Sequence, residues 1–289
     1  MDNISRKSTI DGLWSSSGGK SHYRWVVNVS WIILVSLALT GIFAEFIAPY
    51  DPYKINLAES LHSPSRNHWF GTDILGRDIL SRLIYGSRTT LLVSFASVGT
   101  ASSAGTLFGL IAGYSGPLVS MIIMRIADGI MCFPTVALAL FISVMLGGDL
   151  GGVIVALSFA SIAGYARLMN GLTLSIKEKD YIAAAHSIGA SSIRILVIHI
   201  LPNALPFIIV QVTVQLGTVI LAEAGLSFLG VGIQPPGASW GSMIADGYAF
   251  LEKRPLVAFA PGTALMLVAF AFNTIGDFIR TTLDPRVRT

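Results

Sequence analysis

Asp128 and Glu223 are acidic side chains standing inside apolar runs, where an ionisable group is costly and marks a pairing or a function. Asp128 follows Arg125 by three residues, a spacing that lets the two pair on one helix face; ligand contact is the alternative. Glu223 has no cation near it in sequence and Ser227 one turn away. It is a candidate for the wall of a pathway or for a contact with a neighbouring subunit. Asp277 and Arg280 read as an interfacial pair at the end of the last apolar run.

Catalytic patterns fail one by one. Ser17-Gly18-Gly19-Lys20-Ser21 suggests a phosphate loop, but a Walker A motif needs glycine where Trp14 stands, and no apolar strand precedes it. No HExxH or GxSxG pattern occurs, so an intramembrane hydrolase lacks its nucleophile or metal ligands. His62 and His68 have no metal-ligand spacing. Cys132 is the single cysteine, which excludes an intramolecular disulfide or a cysteine-based cluster and leaves it a packing role. A self-sufficient secondary transporter would need ion-coupling residues within its spans and usually internal repeats, and Glu223 alone does not supply them.

The elements that must position these residues belong to a membrane protein. Hydrophobic residues make up 53% of the 289 and charged residues 12%, with mean hydropathy +0.70. Soluble domains carry about 25% charged residues. Runs long enough to cross a bilayer lie near 25–48, 89–113, 118–146, 152–172, 204–230 and 256–279. They lack the alternation of barrel strands, so the expected fold is all-α, a polytopic bundle of about six transmembrane helices. Residues 1–24 read as a polar cytoplasmic tail, and 25–48 as a retained first helix without a small-residue cleavage site. Residues 49–88 form an outer segment, 89–280 the core with an internal loop at 173–203, and 281–289 a cytoplasmic tail. With the N-terminus inside, 12 of the 19 Lys and Arg fall on the cytoplasmic side and 7 outside. Gly105, Gly109, Ala112 and Gly113 suit close helix packing. Trp69 and Trp240 suit interfacial anchors on the outer side.

The internal loop holds DYIAAAHSIGASSIRILVIHILPN, Asp180 to Asn203. Asp180 can cap a helix that begins at Tyr181, and Gly189 suits the left-handed residue that ends it. Ser191 or Ser192 can cap the next helix, with Pro202 and Pro206 marking its end. Ala183, Ala184 and Ala185 offer a low surface that a partner's groove could approach. An ordinary loop lying on the bilayer surface is equally compatible with the spacing.

The loop resembles the EAA motif of bacterial ABC importer permeases, with Ala184, Ala185, Gly189, Leu201 and Pro202 in register. Ala183 stands in place of the motif's Glu, at what would be N3 of a capping box; His199 replaces an apolar residue before Leu-Pro. Phe70 to Arg88, Met124 to Pro134, Leu221 to Gly241 and Gly276 to Arg286 resemble dipeptide/oligopeptide/nickel permeases, specifically the second permease of such systems. The resemblance implies the MetI-like fold, with a loop made of Asp180, Tyr181, Ala184, Ala185, Gly189, Ala190, Leu201 and Pro202 that docks an ATPase. It implies a homologous second permease, two ATPase subunits that hold ATP and Mg, an extracytoplasmic binding protein, and a bacterial or archaeal cell membrane. No cofactor and no nucleic acid are expected on this chain. Peptides, glutathione and nickel complexes are the solutes such relatives carry.

Overall fold

A computed structural model describes residues 17–283, with side chains from Arg24 onward. The tail at 1–16 and residues 284–289 lie outside it. Among the described residues every regular element is a helix; the only pairing of extended chain is an isolated bridge between Thr72 and Asp78.

Helix α1 (Ser17–Ile42) is followed by one further turn, Ala44–Ile47. It packs on α2 (Ile79–Tyr114) and on the last helix, α9 (Leu256–Leu283). Asp78 caps α2 by accepting the Ser81 amide at 2.8 Å, so the helix begins ten residues before the apolar run that announced it. At 1.5 Å per residue its 36 residues span about 54 Å, well beyond the roughly 30 Å of hydrocarbon. Gly105, Gly109 and Gly113 lie along one face of α2 against α5 (Leu150–Lys177). A Cβ on them would stand 2.5 Å from Tyr165 Cβ, the Ala166 carbonyl and Thr173 Cβ respectively, so only glycine permits this approach.

The run at 118–146 is not one straight span. It splits into α3 (Pro117–Met131) and α4 (Thr135–Met145), which meet at 90° across Cys132-Phe133-Pro134. Proline disfavours the helical conformation in the residue before it and donates no amide, and here the chain turns. Among the described residues five helices are long and apolar enough to cross a bilayer, and six spans result if the bent pair counts as one. The protein is a multi-pass membrane bundle.

After α5 come the short α6 (Asp180–Ser187) and the 37-residue α7 (Ser192–Phe228). Pro202 and Pro206 do not end this helix, contrary to expectation. Ile195–Ile200 is wound as a π-helix immediately before Leu201-Pro202, and this wider turn takes up the backbone where proline withholds its amide. One end of the bundle therefore holds α6 and the start of α7. The opposite end holds residues 49–78, the loop after Phe228, α8 (Trp240–Tyr248) and the start of α9.

Candidate functional site

The elbow formed by α6 and the first turns of α7 is built by local chemistry. Gly189 has φ +80°, the left-handed region. The Ala190 amide returns to the Ala185 carbonyl at 3.0 Å and the Gly189 amide to His186 at 3.0 Å, the two bonds of a Schellman stop. Ser191 caps the next helix by accepting from the Arg194 amide at 3.4 Å. Asp180 is not the cap: the helix starts at Asp180 itself after Lys179, with no side-chain capping bond, and the carboxylate sits in the first turn facing the helix dipole. Ala183 is consequently one position past N3, too far along for a glutamate there to reach back to the cap.

Burial sorts the elbow into two faces. Ile182 and Ala185 are buried against Ile195, Ile200 and Met169, so Ala185 anchors α6 to the bundle and presents nothing outward. Asp180, Tyr181, Ala184, Gly189 and Pro202 are exposed, while Ala190 and Leu201 are half-buried. Tyr181, Ile188 and Ile193, at 45%, 86% and 74% exposed, form an apolar surface around the glycine. Ile188 and Ile193 escaped the sequence reading, although an isoleucine at a helix stop outside any span is a visible oddity.

Tyr114, at the last residue of α2, ties the elbow to two long helices. Its hydroxyl lies 3.4 Å from His186 Nε2 on α6, and the two rings are near-parallel. Lys177 at the end of α5 sets its ammonium 5.2 Å from the Tyr114 ring centre and bonds the Tyr114 carbonyl at 3.3 Å. A cation at the carbonyl end of α2 also complements that helix's dipole.

Asp128 pairs with Arg167 of α5 rather than with Arg125. Arg125 is exposed and makes no ion pair among the described residues. The i,i+3 spacing made the Arg125 pair possible, but α3 packs on α5 and brings a better-placed guanidinium. Asp277 and Arg280 are both exposed, and no ion pair joins them among the described residues. At the opposite end Trp240 is 2% exposed and therefore a core residue, not an interfacial anchor; Trp69, at 70%, is exposed. His68 bonds Asp78 at 2.8 Å. Asp73 accepts the Arg77 guanidinium at 2.6 Å and lies 3.4 Å from that of Arg82.

The model of the family described as "Binding-protein-dependent transport system inner membrane component" matches residues 105–289. The chain belongs to this family. The permease is 41% identical over 261 residues to the dipeptide transport system permease protein DppC of Alkalihalophilus pseudofirmus, covering 90% of this chain and 86% of that one. It is 39% identical to the nickel transport system permease protein NikC of Escherichia coli K12, covering 92% and 96%. It is 41% identical to the glutathione transport system permease protein GsiD of Escherichia coli O6:K15:H31, covering 89% and 85%. Among solved structures, the inward-facing MetNI methionine ABC transporter superposes with TM-score 0.59 at 20% identity, covering 71% of this chain and 98% of that one, which shows the MetI-like fold. The protein is thus a permease subunit of an ABC importer, a family whose members work with ATPase and permease partners.

Within the permease, Glu223 lies at 0% exposure near the end of α7. Its carboxylate faces the chain's own interior and not an exposed subunit surface, because α8 and the loop before it cover that side of the helix. Ser227 donates to Oε1 at 2.8 Å.

Proposed function

We propose that this chain is the second of two homologous permeases in an importer whose ATPase subunits dock on the α6 elbow. The observation that carries this reading is the exposed apolar surface of Tyr181, Ile188 and Ile193 around a left-handed Gly189 that has open space where a side chain would go. A surface of this kind suits a partner's groove. Ile182 and Ala185 seat α6 on the bundle, so a push on the elbow reaches α7 as a rigid displacement. Ala184, Ala190, Leu201 and Pro202 complete the docking loop, with Asp180 at its start.

ATP and Mg are bound and hydrolysed on the partner chains, and this subunit is non-catalytic. The termini face the cytoplasm of a bacterial or archaeal cell, and an extracytoplasmic binding protein delivers solute to the opposite end. The named transport of dipeptides, nickel and glutathione by the relatives supports a small peptide or metal-complex solute. Asp128 and Arg167, each about half exposed, supply charge beside the translocation path.

Reconstitution with its partner permease, ATPases and binding protein tests the reading. ATP-dependent uptake, together with a crosslink from Ile188→Cys to an ATPase, is the expected result. Uptake that ignores ATP, or an Ile188→Cys label reachable only from outside, overturns it.

A further inference from the structure

Several buried hydroxyls on the spans of this protein bond back to their own helix. Ser94 donates to the Thr90 carbonyl at 2.7 Å, Thr173 to Met169 at 2.8 Å and Thr213 to Ile209 at 2.9 Å. Ser227 does otherwise. The residue four positions before it is Glu223, and Ser227 donates to the Glu223 carboxylate instead of the Glu223 carbonyl. With its proton so directed, the Ser227 oxygen accepts the Ile233 amide at 3.2 Å.

That bond fastens the loop 229–239 to α7, and the fit around it leaves no slack. A Cβ on Gly232 would stand 2.1 Å from Ser227 Oγ, and one on Gly241 would stand 2.3 Å from the Ala224 carbonyl. The loop also reaches the bent pair, where Ser143 donates to the Val231 carbonyl at 3.0 Å. Ser239, fully buried at the start of α8, faces the same carboxyl, whose Oε2 has no hydrogen-bond partner among the described residues. Burying a carboxyl with no cation beside it and only serine hydroxyls facing it is costly, and an apolar side chain of similar size would pack there at less cost. What the carboxyl supplies is direction: it turns Ser227 away from its own helix and toward the loop.

We propose that Glu223 is a positioning residue that acts through Ser227 to lock the 229–239 loop to α7, so that movement entering at α6 leaves at the far end as movement of this loop. The inference rests on the docking reading above and extends it to the solute-entry end. α7 carries both attachments, Ile195 and Ile200 against α6 and Glu223 with Ser227 against the loop.

The test uses the full complex in nanodiscs, with Cys132→Ser and an exposed probe, Gln234→Cys, on the loop. Reaction of the probe with a membrane-impermeant maleimide is timed with and without nucleotide trapped by vanadate. In the parent and in Glu223→Gln, which keeps an acceptor for Ser227, trapping is expected to change the labelling rate. In Glu223→Leu that change is expected to vanish and uptake to fall about tenfold or more, the equivalent of losing one well-made interaction, while the complex still co-purifies. A Leu variant with the parent's nucleotide-dependent labelling and uptake overturns the inference, as does a Gln variant that behaves like Leu. Should Glu223→Leu not assemble, Ser227→Ala carries the same expectations and the same overturning results. Absence of ATP-dependent uptake in the parent complex would instead sink the docking reading itself.

Discussion

The Trp240 indole donates to the Leu83 carbonyl at 2.9 Å, joining α8 to α2 across 157 residues of sequence. The ring lies over Gly86, where a Cβ would stand 2.7 Å from its Cδ1. Trp240→Phe removes the bond and keeps most of the packing. It is expected to lower stability by about 0.5–1.5 kcal/mol, the usual net worth of one hydrogen bond. Gly86→Val forces the indole out and should cost more than Trp240→Phe. Thermal unfolding of the detergent-solubilised complex measures both, and the reverse order would show that Trp240 is not fixed by α2.

Asp128 and Arg167 bridge α3 and α5 at about half exposure, so their pairing is expected to contribute no more than about 1 kcal/mol. A double-mutant cycle of Asp128→Asn with Arg167→Gln should give a nonzero coupling energy. The same cycle with Arg125→Gln should be additive within about 0.5 kcal/mol. Coupling to Arg125 in place of Arg167 would contradict the geometry.

Gly189 needs φ +80°, yet a side chain there meets nothing within 4 Å in this chain. Strain alone should therefore cost about 1–2 kcal/mol for Gly189→Asp, and the permease should still fold. A docked partner would fill the open space, so uptake is expected to fall far more than stability, at least about tenfold or 1.4 kcal/mol. Ala183→Glu, on an exposed position of α6, should leave folding and co-purification with the ATPases intact. Full uptake in Gly189→Asp, or failure of Ala183→Glu to assemble, would separate the elbow from coupling.

Asp246 accepts from Arg77 at 3.2 Å. Burial raises its pKa above the ordinary value, and the charges of Arg77 and Arg82 oppose that rise without cancelling it. An acid whose folded pKa exceeds its unfolded one binds more protons in the folded state, so its contribution to stability grows as pH falls through the carboxylate range and is lost as pH rises. The melting temperature of the wild type relative to Asp246→Asn is expected to shift in favour of the wild type on acidification. A shift in the opposite direction would mean that the Arg77 pair dominates.

Tyr114 offers a final check on how α6 is seated. Tyr114→Phe keeps the ring stacked on His186 and loses the 3.4 Å contact of its hydroxyl, whereas Tyr114→Ala loses the ring as well. Protection of α6 amides from hydrogen exchange should drop only slightly in Phe and markedly in Ala. Equal protection in all three would place the anchor elsewhere.

The sequence by itself determined the solvent, the class and the turn at Gly189. Long apolar runs require helices because lipid offers no backbone partner, and Gly189 announces its turn because φ > 0 is a property of one residue. The register of Gly105, Gly109 and Gly113 likewise foretold a close helix approach. Tertiary structure decided what depends on the rotation and neighbours of each helix: Asp128 to Arg167 rather than Arg125, Ala185 inward while Ala184 faces out, Trp240 in the core, and Glu223 sealed under a loop. These are relations between residues far apart in sequence, and an apolar helix in a bilayer carries little patterning to say which face meets which partner. Local chemistry therefore fixed the elements, and only packing assigned each side chain its partner.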